Sequence, residues 1–201
     1  MNKKIKTIMT LTVFLICMFM AKSLFAADLM ITDFENDGVN SLGGGVGSWN
    51  INSSDESHKC NMSIVHSFDV MGKKSSVLKI SYSVNSSVPA NGIYIELNGA
   101  DLTTYDQLSM LIRGDKNAGF TKRFQLEFKN MQDQQIIYYV DGITSQWQRI
   151  AISLKELAQK NTSFDWSKMK EIVFTFHNLV VSNNKTGVLY VDDIMASSSE
   201  K

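Results

Sequence analysis

Short segments that alternate apolar and polar residues recur along this chain, each closed by a turn signal. Residues 77–84 (VLKISYSV) set Leu78, Ile80, Tyr82 and Val84 on one face and Lys79, Ser81 and Ser83 on the other. Comparable runs occupy 31–35 (ITDFE), 93–97 (IYIEL), 108–113 (LSMLIR), 124–129 (FQLEFK), 136–140 (IIYYV), 147–154 (WQRIAISL), 171–177 (EIVFTFH) and 187–194 (GVLYVDDI). A period of two is the mark of a strand with one buried face. Between the runs stand Asn36-Asp37-Gly38, Asn98-Gly99, Gly114-Asp115 and Asp141-Gly142, residues that tolerate the positive φ of tight turns. The single proline, Pro89, falls in another break, and residues 154–159 carry the one helical turn. Nine or ten short strands with so little helix predict an all-β fold, a two-sheet antiparallel sandwich or a barrel. No repeat of fixed period is visible, which excludes a propeller or solenoid.

The first and last of these strands frame the chain. After residues 31–35 the sequence turns at Asn36-Asp37-Gly38, passes Gly43, Gly44, Gly45 and Gly47, and ends on Trp49. Such a run predicts backbone lying close over the body of the domain, anchored by one ring. The final run carries two adjacent carboxylates, Asp192 and Asp193. First and last strands are expected to be neighbours, with acidic side chains gathered at their seam. An edge strand beside a solvated acidic turn fits the same spacing.

Composition narrows the function. Residues 1–26 begin with Lys3, Lys4 and Lys6, continue with an apolar run over 8–20, and end in small residues, the layout of a secretory signal peptide. The run is short of the roughly 20 residues a membrane span needs. An uncleaved anchor is the other reading of it. Ile16 stands before Cys17 where lipid attachment calls for a small residue. Residues 27–196 then form one domain, 197–201 are a polar tail, and the protein is expected to be secreted or periplasmic. Four of the twenty basic residues and none of the twenty acidic ones leave with the signal, so the domain is mildly acidic. That argues against a nucleic-acid partner. The one cysteine left, Cys60, excludes an internal disulfide.

The stretches ITDFEND, NSLGGGVGSW, LSMLIRGD, WQRIAISL and GVLYVDDI, taken in order, resemble secreted carbohydrate-binding modules of the galactose-binding-like jelly-roll superfamily. They are similar to the family-eleven β-glucan-binding modules and the complex-I-intermediate-associated family. The resemblance covers the whole domain. It implies a jelly roll of two antiparallel sheets whose concave face can hold a polysaccharide, and a structural calcium near the terminal strands. Asp192 resembles the acidic position used by that metal site, with Glu35 beside it and Asp193 as the fallback ligand. A calcium ion takes six to eight oxygens. Without a metal, the three carboxylates form a cluster satisfied by backbone N–H groups and water.

A sugar site needs aromatic rings for pyranose C–H faces and hydrogen-bonding groups for hydroxyls. The strand faces opposite the core offer Tyr94 and Glu96; Gln125, Glu127 and Lys129; Arg149 and Trp147; and Thr175 and His177. Tyr138 and Tyr139 face opposite ways. Gln125, Glu127, Tyr139, Arg149 and His177 are the expected ligand-binding group. A cross-strand ion pair between Glu127 and Arg149 and a structural contact for His177 are the plainer readings of these positions, and Trp147 matches a position that is core in the resembled family. Few outward aromatics are evident, so a secreted interaction or assembly factor working on a protein partner is the alternative to a sugar binder. Catalysis is not expected. The chain has no paired carboxylates on one strand, no nucleophile elbow, no histidines at zinc-ligand spacing and no phosphate-cradling loop.

Overall fold

The computed structural model describes residues 27–51, 54–55, 57–85, 90–182 and 184–198. The signal peptide expected over 1–26 and residues 199–201 of the expected tail lie outside the described residues. Among the described residues, eleven strands and one short helix follow one another. They are β1 (Leu29–Thr32), β2 (Val46–Asn50), β3 (Cys60–Val70), β4 (Lys73–Ser83), β5 (Ala90–Ala100), β6 (Gln107–Gly114), β7 (Arg123–Asn130), β8 (Gln135–Asp141), β9 (Gln148–Ser153), α1 (Leu154–Lys160), β10 (Met169–His177) and β11 (Thr186–Ser197).

The strands form two antiparallel sheets. One has the order β3-β4-β11-β6-β9, with β1 added alongside β11; the other runs β2-β5-β10-β7-β8. Side chains of the expected inner faces fill the space between them. Leu78, Ile80, Ile93, Ile95, Leu126, Phe128, Phe174, Leu189 and Val191 are all buried there. Tyr82 of the first sheet stacks on Phe176 of the second, ring centroids 4.3 Å apart, so the core is continuous from sheet to sheet. Burial pushes the Tyr82 hydroxyl and the Cys60 thiol well above their ordinary pKa ranges. Cys60 is a free thiol fully buried in the core. Helix α1 is capped by the Ser153 hydroxyl, which accepts from the Glu156 N–H at 3.1 Å.

The all-β sandwich and the pairing of first with last strand agree with the sequence reading; Leu29 lies opposite Ala196. Two strands went unrecognised in the sequence, β2 in the glycine-rich stretch and β3 beyond the polar loop. Strand β11 also runs one residue into the expected tail, where Ser197 Oγ accepts from Gln107 Nε2 at 2.9 Å. Among the described residues no helix is long and apolar enough to cross a membrane.

Candidate glycan-binding face

The outward face of the second sheet collects residues from all five of its strands. Strand registers place Trp49, Gly92, Thr175, Gln125 and Tyr139 in one row across it. Gly47, Tyr94, Val173, Glu127 and Ile137 make the next row. Side chains on an outward face are ordinarily exposed. Here those of the middle strands are not: Thr175 is 3%, Glu127 7% and Gln125 9% exposed, whereas Tyr139 at the edge is 44% exposed. The middle of the face is thus the floor of a trough, with taller side chains at its sides.

Glycine makes one wall possible. A Cβ on Gly47 would sit 2.9 Å from Cε1 of Tyr94, and one on Gly92 would sit 2.8 Å from Nε1 of Trp49. Each ring lies across the neighbouring strand where a side chain would otherwise stand. The glycine-rich loop is tied to the same strand. Asn40 Nδ2 donates to the Glu96 carbonyl at 2.6 Å, and Gly45 N–H donates to Glu96 Oε2 at 2.8 Å. On the far wall the Arg123 guanidinium lies 4.7 Å from the Tyr139 ring centroid and pairs with Asp141 at 3.4 Å. On the floor, Glu127 Oε1 accepts from Gln125 Nε2 at 2.8 Å and from Thr175 Oγ1 at 2.6 Å. Lys129 Nζ lies 3.4 Å from both Glu127 Oε2 and Glu171 Oε1.

Of the five residues expected in a sugar site, Gln125, Glu127 and Tyr139 are brought together here. His177 stands at the rim, at the end of β10, where its Nδ1 accepts from Leu179 N–H at 3.1 Å and closes a turn. Arg149 does not belong to the group. It lies on β9 in the other sheet, with Nη1 3.3 Å from Ser109 Oγ and Nη2 3.6 Å from Asp193 Oδ2. The ion pair between Glu127 and Arg149 is excluded for the same reason: the two residues belong to different sheets. Trp147 also sits on the first sheet's outer side, edge-on to Phe68 with centroids 6.3 Å apart. Trp49, read from the sequence only as an anchor, is part of the face. The glycine that makes room for its ring is Gly92 on the adjoining strand, too far along the chain to serve as a local signal. A cavity of about 580 Å³ bounded by Leu102, Tyr105, Leu154, Ala158 and Trp166 contains none of the candidate residues.

The carboxylates of the terminal seam divide in two. Glu35 Oε1 accepts from Ser76 N–H at 2.8 Å and from Ser75 Oγ at 3.0 Å, and its Oε2 accepts from Ser76 Oγ at 2.8 Å. The Ser76 backbone donor, then its hydroxyl, hold Glu35 below the ordinary carboxylate range. Asp192, 2% exposed, reaches the same Ser75 hydroxyl at 2.9 Å. Burial pushes it up to about 6, and the neighbouring Asp193 and Glu35 add to the shift. One hydroxyl carries one hydrogen and cannot serve both carboxylates at once. Glu35 and Asp192 therefore fit a hard cation, which would satisfy both. Asp193 does not fit, because its carboxylate is turned to Arg149. No group of three or more His, Cys, Asp or Glu side chains stands at metal-binding spacing among the described residues. Carbonyl, hydroxyl or water oxygens would have to complete such a shell.

A two-sheet sandwich with a ring-walled polar trough on one sheet is an architecture shared with non-catalytic carbohydrate-binding modules. The chain belongs to the carbohydrate binding domain 30 family, whose model matches residues 34–198. Solved structures share the fold. The family 11 carbohydrate-binding module of a cellulosomal cellulase of Clostridium thermocellum superposes with a TM-score of 0.61 at 20% identity, over 87% of this chain and 96% of that one. The family 11 module from the same organism in complex with a β-1,3-1,4-mixed-linked tetrasaccharide gives 0.58 at 21% identity, over 87% and 97%. The family 30 module of another cellulosomal cellulase of Clostridium thermocellum gives 0.59 at 18% identity, over 87% and 99%. No curated protein sequence matches the chain.

Proposed function

We propose that this carbohydrate-binding module holds a β-glucan-like polysaccharide in the trough of its second sheet and performs no catalysis of its own. The observation that carries this reading is the outward row from Trp49 to Tyr139, with buried polar groups between two aromatic walls. Trp49 on β2 and Tyr139 on β8 are four strand spacings apart, about 19 Å. That is room for a chain of several sugar units lying across the strands. The rings would cover pyranose C–H faces while Gln125, Thr175 and Glu96 meet the hydroxyls. A solved family 11 module, similar in fold, carries a mixed-linked tetrasaccharide. Affinity electrophoresis against a panel of soluble β-glucans and other polysaccharides tests the reading. We expect retardation by one glycan class, lost in Tyr139→Ala and Trp49→Ala and kept in Arg149→Ala. Retardation by none of them, in a folded protein, would defeat it.

We further propose that Glu35 and Asp192 hold a structural calcium, and that residues 1–26 direct export. The support for the metal is the pair of carboxylates contending for one Ser75 hydroxyl. For export it is the basic start and apolar run of the leader.

A further inference from the structure

We propose that Glu127 is a positioning residue that fixes the polarity of the trough floor, and that the floor thereby selects neutral over anionic polysaccharides. The inference rests on the glycan reading of this face. Glu127 occupies an outward position in the middle of an open sheet, yet it is buried and its carboxylate is spent on protein partners. A carboxylate can only accept. Gln125 must therefore turn its amide nitrogen to Glu127, which leaves its carbonyl oxygen on the other side. Thr175 gives its one hydroxyl hydrogen to the same oxygen and keeps only lone pairs for a ligand. An amide that could otherwise present either end is locked: beyond its bond to Glu127, Gln125 offers its carbonyl oxygen and one remaining N–H, Thr175 offers lone pairs alone, and acceptors outnumber donors on the floor. Sugar hydroxyls, which can donate, suit such a floor.

The charges on this face act in the same direction. Its outward positions carry Glu96, Glu127, Glu171 and Asp141 against Lys129 and Arg123. Both cations are already engaged, Lys129 by Glu127 and Glu171 and Arg123 by Asp141. A uronate would bring acceptors to a floor short of donors and a negative charge into a net negative trough, which is rejection built from repulsion as well as scarce donors.

The experiment compares soluble mixed-linkage β-1,3-1,4-glucan with the same glucan oxidised to carboxylates at C6, using the purified protein. The wild type is expected to bind the neutral polymer at least about tenfold more tightly, the scale of a lost hydrogen bond to a charged group. Glu127→Gln keeps the shape but can donate, so Gln125 is free to reverse. Neutral affinity should fall while affinity for the oxidised polymer does not, and their ratio should collapse. A merely structural role would lower both together. Gln125→Leu tests the same polarity without touching the carboxylate and should lower neutral affinity alone, even where Glu127→Gln fails to fold. An unchanged ratio in folded Glu127→Gln, or wild-type binding of both polymers alike, overturns the inference and leaves the glycan reading standing. Binding to no neutral polysaccharide overturns the glycan reading, and this inference with it.

Discussion

Two glycines decide how the aromatic wall is built. Gly47 leaves the space that the Tyr94 ring fills, and Gly92 sits under both Trp49 and the Phe174 carbonyl. The two positions differ in what a methyl group would meet. At Gly47 it meets the end of a ring that can swing away. Gly47→Ala should lower glucan affinity several-fold while leaving the melting temperature within a few degrees of wild type. At Gly92 it would land on the fixed carbonyl oxygen of Phe174 on the adjoining strand. Gly92→Ala should cost roughly 1–3 kcal/mol of stability, as overpacking does, readable as a lowered denaturation midpoint. The sequence displays both glycines but not their roles, because Tyr94 is 47 residues from Gly47 and the two meet only through the pairing of β2 with β5. Arg149 teaches the complementary lesson. Alternation correctly puts it outward, and says nothing about which of two sheets it is outward from.

At the scale of the element, strand β3 is the least legible part of the chain. Residues 60–70 (CNMSIVHSFDV) carry polar side chains at both parities, so no clean period appears. The reason is a bulge between Val65 and Phe68, with Ser67 at φ 55°. It re-aims the second half of the strand. Phe68 then lies against Tyr190, centroids 4.6 Å apart, and the Trp147 indole N–H donates to the Asp69 carbonyl at 3.0 Å. The Arg113 guanidinium stands 5.3–5.9 Å from the rings of Tyr190, Phe68 and Trp147. This small second core covers the outer side of the first sheet, away from the trough. Phe68→Ala should therefore cost up to about 3 kcal/mol, the low end for a phenylalanine because the ring is only partly covered, with glucan affinity unchanged. A loss of binding in a folded Phe68→Ala protein would mean that the two faces are coupled.

For the whole molecule, the seam between β1 and β11 is where ions and pH should register. Asp192 has a folded-state pKa pushed up to about 6, above the roughly 3.9 of an unfolded aspartate. The folded state therefore binds the extra proton, and stability is greatest below the unfolded value and is lost as pH rises through about 6. In chelator, the melting temperature should fall between pH 4.5 and 7.5, and Asp192→Asn should flatten that fall. Glu35, held low, acts in the opposite sense but only at more acid pH, below the ordinary carboxylate range. Calcium should raise the melting temperature at pH 7.5 more than at pH 4.5, since it must displace the Asp192 proton in acid. A calcium-independent melting curve at both pH values would dispose of the metal proposal.

The sequence by itself determined what is local. Period-two alternation placed most of the strands and sorted their side chains into inward and outward sets. Asn, Asp and Gly marked the turns, and one helical turn was visible at 154–159. It also raised the pairing of the first and last strands as an expectation, through the motifs at both ends, while leaving open whether their carboxylates gather or stand in solvent. The tertiary structure alone decided which strands share a sheet. Hydrogen-bond partners and core packing act between residues far apart in the chain, and a strand's own pattern is the same whichever neighbour it takes. That is why Arg149 left the expected group and Trp49 joined it. It is also why Glu127, outward by pattern, is buried and bound by its neighbours.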